Sequence, residues 1–253
     1  MMLADRTVAD QLVEALEAVE RGDYTTALAI WEPLARAGVA RAQNNIGACF
    51  AEGLGVERDA GLAFRWLTLA AESGDRIGRR NLAALYFKGE GVDQDSARAA
   101  ELYRLAADAG DGPAQDMLSW MLLEGEIGEP DYDEARRLAE AAAEQGIPQA
   151  MTRLGMLHHD ALGVERDPAK AAMWWRRGAL GGDADGQAMF GAALYLGAGV
   201  ERDPIEGCAW LLRAQKGRSA LAGQFLTAAR SALAPHEHAE AERRALELPE
   251  PAS

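Results

Sequence analysis

The chain has 253 residues, 49% of them apolar, with a formal net charge of −14 and a sequence pI near 4.8. So much apolar side chain excludes a disordered composition. The acidic field weighs against nucleic acid and anionic lipid as general partners.

Residues 6–21 place Val8, Leu12, Val13 and Leu16 on one face and predict an amphipathic first helix. Met1 to Arg6 lack the continuous apolar stretch of a signal peptide. No run anywhere reaches the roughly 18 apolar residues of a membrane span. A soluble, cytoplasmic protein with no membrane insertion is the expectation. From Asp23 to Gly38 the chain starts to repeat: Ala27, Ile30 and Ala35 match Ala63, Trp66 and Ala71. Residues 1–39 are therefore expected to be an N-terminal cap and half repeat.

From about residue 40 the repeat is complete, at a 36-residue step. Trp66, Leu102, Leu138, Trp174 and Trp210 form one column, and Asp23, Asp59, Asp95, Asp131, Asp167 and Asp203 another. An apolar column runs Ile46, Leu82, Leu118, Leu154, Phe190, with a small-residue column directly after it: Gly47, Ala83, Ser119, Gly155, Gly191. Glycines close the units at Gly38, Gly74, Gly110, Gly146 and Gly182, and Arg218 stands in the last of these places. Each column has a physical reason. The apolar residues give one helix face, and the small ones let a second helix approach. Gly53, Gly89, Gly125 and Gly197 can end the first helix in a left-handed conformation. Each aspartate sits where an N-cap is wanted, with Pro168 and Pro204 at the following helical position.

The pattern predicts an all-α protein, a right-handed α-solenoid of antiparallel helix pairs. Five units occupy residues 40–219. Residues 220–248 form a C-terminal helical cap, with helices over 220–233 and from Pro235 to about Leu248, and 249–253 a disordered tail. The third unit departs most, with Gly125-Glu126-Ile127-Gly128-Glu129-Pro130 in its loop. The fourth has Ala161 in the loop-glycine column. Cys49 and Cys208 lie in the first and fifth units, so they are expected to be buried free thiols of a reducing compartment.

Ala42…Ile46-Gly47…Phe50…Gly53-Leu54-Gly55-Val56…Asp59…Ala63…Trp66…Ala70-Ala71…Gly74 resembles the Sel-one-like repeat, a longer-looped relative of the tetratricopeptide repeat. Residues 186–210 show the same frame, and the resemblance covers roughly 180 residues. It implies a non-catalytic adaptor that binds a protein or peptide in its concave groove. The chain lacks the paired cysteines of the secreted, disulfide-pinned members.

By analogy with tetratricopeptide units, two positions of each first helix face that groove. They hold Phe87, Trp120, Leu123, Met156, His159 and Tyr195, beside Ala48, Ala51, Ala84 and Ala192. These positions carry no evident packing duty in the repeat, and aromatic and Met side chains suit a partner's apolar anchors. Arg41, Arg80 and Lys88 lie near the N-terminal end of the same surface and could meet acidic groups of a partner. The competing reading is that these side chains pack against one another.

Dinucleotide, Walker and nucleophile-elbow motifs are missing, and no cofactor is expected. Asp93-Gln94-Asp95-Ser96 lacks the glycine and later glutamate of a calcium loop. His158-His159-Asp160 is the one cluster resembling metal ligands. Adjacent helical histidines diverge by about 100°, while zinc wants three or four convergent donors. A metal-dependent hydrolase centred there and a self-assembling module remain the alternatives to a binding scaffold.

Overall fold

The computed structural model describes residues 7–248; Met1 to Arg6 and the expected tail at 249–253 lie outside them. Among the described residues there are fourteen α-helices and no strand. They form two compact units, Met1–Ala114 and Gln115–Ser253.

The first unit contains α1 (Val8–Glu20), α2 (Tyr24–Arg36), α3 (Ala40–Glu52), α4 (Ala60–Glu72), α5 (Arg76–Lys88) and α6 (Ser96–Asp108), each packed on the next. Its core joins Ala15, Ala27, Trp31, Ile46 and Cys49, with Phe50 and Trp66 half-buried against it. In the second unit, from Gln115 within α7 (Gly112–Leu123), come α8 (Tyr132–Glu144), α9 (Pro148–Asp160), α10 (Pro168–Leu180), α11 (Ala184–Leu196), α12 (Pro204–Lys216), α13 (Ala222–Ser231) and α14 (Pro235–Glu247). First helices also touch each other, α3 with α5 and α9 with α11.

The aspartate column does what an N-cap should. Asp59, Asp95, Asp131, Asp167 and Asp203 each accept from the backbone N–H three residues on, at 2.8 to 3.0 Å. Their own N–H groups reach back across the loop to first-helix carbonyls, Asp59 to Phe50 at 2.9 Å and Asp203 to Leu194 at 3.0 Å. A side chain beside each cap adds a second tie. Arg58, Gln94, Arg166 and Arg202 donate to the carbonyls of Ala51, Phe87, His159 and Tyr195 at 2.9, 2.9, 3.2 and 3.1 Å. The third repeat has Pro130 there and lacks this donor.

The second loop glycine joins one repeat to the one before. A Cβ on Gly91 would strike the carbonyl of Ala60 at the start of α4, and one on Gly199 the carbonyl of Pro168 at the start of α10. Both glycines have φ of +73°, so close approach and backbone conformation both demand glycine. Gly128, in the aberrant third loop, meets nothing within 4 Å. Ala161 and Arg218 adopt the same left-handed geometry as their column mates, with φ of 59° and 64°.

The C-terminal helix folds back. α14 packs on α12, where Arg244 reaches Glu206 at 3.3 Å and Arg213 donates to the Leu248 carbonyl at 2.6 Å. Cys49 and Cys208 are buried and free, and burial raises both thiols, Cys49 to about 11.

Candidate functional site: the exposed faces of the first helices

The two units divide the expected groove residues between them. In the first, α5 carries Arg80, Phe87 and Lys88, and α3 carries Arg41. The cations of α5 serve mainly as ties within the unit. Arg80 donates to both oxygens of the buried Asp111 at 3.1 Å. Arg79 donates to the Ala71 carbonyl and Arg76 to that of Ala109, both at 3.4 Å. Those carbonyls lie at the C-terminal ends of α4 and α6, where backbone acceptors lack helical partners. Arg41 meets Asp75 at 3.3 Å but is more exposed than Arg80. Arg80 is thus spent on its neighbour, whereas Lys88 is exposed with no ion pair among the described residues. Phe87 is half-buried.

In the second unit the expectation that these positions have no packing duty needs correction. Leu123 packs against the core of α8 and α9, which includes Ala139, Leu154 and Leu157. Tyr195 packs against the core shared by α12 and α13, and its hydroxyl donates to the Ala228 carbonyl at 3.5 Å. The His159 ring lies 5.3 Å from that of Trp175 in its own hairpin, tilted at 46°, and its Nδ1 lies 2.7 Å from Asp160. The reason is geometric. A side chain at this position overhangs the end of its helix, so it reaches the adjacent helix before it reaches solvent. Trp120 is half-buried, and Met156 is exposed at 38%.

Two features escaped the sequence reading. One is Leu196, 58% exposed at the end of α11. Its column otherwise holds Glu52, Lys88, Glu124 and Asp160, and that contrast was a legible signal. With Met156 and Tyr195 it leaves apolar side chains exposed or half-exposed on the neighbouring helices α9 and α11. The other is a polar ladder one turn earlier. In the first unit Asn81 donates to Asn44 at 2.9 Å. In the second, Arg153 donates to the buried Asp116 at 2.9 Å and Thr152 to Asp183 at 2.6 Å. The two ends of each pair lie 31 to 37 residues apart; Asp183 shares its column with Asp75 and Asp111, while the column of Asn44, Arg80, Asp116 and Thr152 changes residue type at every step.

Among the described residues no three His, Cys, Asp or Glu side chains gather as ligands. No helix among them is long and apolar enough to cross a membrane.

The family model described as Sel1 repeat matches residues 40–75, 78–111, 112–147, 148–183 and 184–214. Among solved structures, a Sel1 repeat protein from Oxalobacter formigenes is 25% identical, with a TM-score of 0.82 over 96% of this chain and 98% of that one. Pseudomonas aeruginosa 5086 is 16% identical, with a TM-score of 0.53 over 89% of this chain and 84% of that one, a likeness of fold alone. No curated protein matches.

Proposed function

Because the chain belongs to the Sel1 repeat family, whose fold serves generally as a scaffold, we propose that it is a non-catalytic adaptor that captures a protein or peptide on its first-helix faces. The reading is carried by the strip on α9 and α11, where Met156 and Leu196 stay exposed, with Tyr195 next to Leu196; the Met156 column otherwise holds Trp120 and alanines, and the Leu196 column is charged in the other repeats. Exposed apolar side chains at adjoining helices favour a partner with apolar anchors. Trp120 holds the Met156 column one repeat earlier, while Leu123 and His159 pack within their own hairpins. In the first unit, Phe87, Lys88 and Arg41 offer a second, more cationic contact surface, and Arg80 holds it together.

The test is capture from native lysate by wild type beside the Met156→Glu/Leu196→Glu variant, with circular dichroism on both. Both residues are exposed, so the variant should fold as wild type does. A partner held by wild type and lost by the folded variant is the expected result. Equal retention would move the site elsewhere.

A further inference from the structure

A different face of the second unit breaks the repeat's charge rule. On α10 the outward stripe is Ala169, Met173, Arg176 and Leu180, at spacings of four, three and four residues, with Arg177 beside it. Met173 is 47% and Leu180 38% exposed. The Met173 column elsewhere holds Arg65, Glu101, Arg137 and the buried Ala209, and the Leu180 column Glu72, Asp108, Glu144 and Lys216. Second helices of this protein thus ordinarily turn charge outward at these two places, and α10 turns methionine and leucine. A surface cleft of about 390 Å³ lies along the stripe, bounded by Phe190, Gly199 and Val200 of the next hairpin.

The charges beside the stripe are of one sign. The helix carries Lys170, Arg176 and Arg177 and no carboxylate, within a chain whose net charge is −14. Arg177 is set over the Trp174 ring at 4.4 Å, which holds its guanidinium in place. None of the ion pairs among the described residues uses Arg176 or Arg177. By contrast, the three arginines of α5 are engaged by Asp111 and by helix-end carbonyls.

We propose that this face of α10 docks an acidic amphipathic helix of a partner protein. The partner's apolar side chains enter the cleft between Met173 and Leu180, and its carboxylates meet Arg176 and Arg177. Charge complementarity selects this occupant, since a basic or neutral helix would leave both guanidiniums without partners at a desolvated contact. The site is separate from the α9 and α11 strip and does not depend on it.

The probe is a fluorescein-labelled 14-residue helical peptide with Leu at i, i+4, i+7 and i+11 and Glu at the flanking positions, titrated with the full chain by anisotropy. Saturable binding is expected, weakened at least about tenfold by M173E/L180E, by R176E/R177E, and by replacing the probe's Glu with Lys. M156E/L196E should bind as wild type does, so this inference and the inner-face reading can fail independently. Unchanged binding by either α10 variant, equal binding of the Lys probe, loss in M156E/L196E, or no binding at all would overturn the proposal. Self-association in sedimentation velocity that R176E/R177E abolishes would assign the face to a second copy and would overturn it too.

Discussion

Gly155 of α9 lies directly beneath the indole of Trp175 on α10, with no room for a Cβ between them. The same relation joins Gly47 to Leu67, where an added Cβ would stand 2.7 Å from Cγ. In the third repeat the facing residue shrinks to Ala139, and the column position holds Ser119, whose hydroxyl donates to the Ala135 carbonyl at 2.7 Å. At Gly47 and Gly155 the small residue is thus required by the side chain that crosses it, while the second repeat accommodates Ala83 with Tyr103 in the facing column.

Gly155→Ala should accordingly destabilise the second unit by about 1–3 kcal/mol, the range for overpacking a filled interior. In a Trp175→Ala background, where the facing residue has the size of Ala139, Gly155→Ala should cost less. Urea unfolding of the two variants decides it. A neutral Gly155→Ala would mean the hairpin can open without cost.

The polar ladder separates buried from exposed ion pairs. Arg153→Ala leaves Asp116 buried without its cation and should cost about 3–5 kcal/mol. Arg41→Ala, at a pair whose arginine is half in solvent, should cost less than about 1 kcal/mol. Equal losses in chemical denaturation would refute the distinction.

Asp183 supplies a pH dependence of unusual sign. Burial pushes its carboxyl above the usual 3.8, outweighing the hydrogen bonds from Thr152 and the Gly186 N–H that pull it down. The folded chain then holds this proton more tightly than the unfolded chain. Its stabilising contribution is present below the ordinary carboxylate range and is lost as pH rises through the raised value. Asp183→Asn keeps an acceptor for the cap and does not titrate. Relative to wild type, it should gain stability as pH rises above the ordinary carboxylate range. Parallel profiles of urea midpoint against pH would exclude this assignment.

Glu240 has the opposite sign. Hydrogen bonds from Arg243 and Arg244 hold its carboxyl down to about 2, against an ordinary 4.5. Its contribution is present above 4.5 and is lost as pH falls through about 2. Arg244 also reaches Glu206 of α12, so acid should loosen α14 ahead of the repeats. Hydrogen exchange should show amides of 235–247 losing protection first, and Glu240→Gln should remove that early phase.

Ala161 occupies the left-handed position that glycine fills in the other loops. Ala161→Gly should stabilise by about 1 kcal/mol, because a Cβ is disfavoured at that backbone conformation. Thermal melting would register the gain, and a loss would show that the methyl group has a packing role.

Residue by residue, the sequence determined the repeat. The aspartate column became N-caps, Gly53 and Gly197 became left-handed helix ends with φ of +73°, and the boundaries near Pro168 and Pro204 fell where expected. These are local decisions, made by a few neighbouring residues whose backbone chemistry recurs at every step, so a single chain read by columns exposes them. Only the tertiary structure decided which side chains the protein spends on itself. Arg80 looks like a partner-facing cation until Asp111 is seen in front of it, and Tyr195 like a groove residue until its hydroxyl is seen on the Ala228 carbonyl. Met156 and Leu196, on first helices in the same unit, stay in solvent. The difference lies in contacts between residues some 31 to 37 positions apart. The columns record such a contact only in part: Asp111 recurs as Asp75 and Asp183, but the position of Arg80 holds Asn44, Asp116 and Thr152 in other repeats. The inward fold of α14 was likewise undetermined by composition. It rests on Arg213 and Arg244 meeting groups on the other helix across that interface.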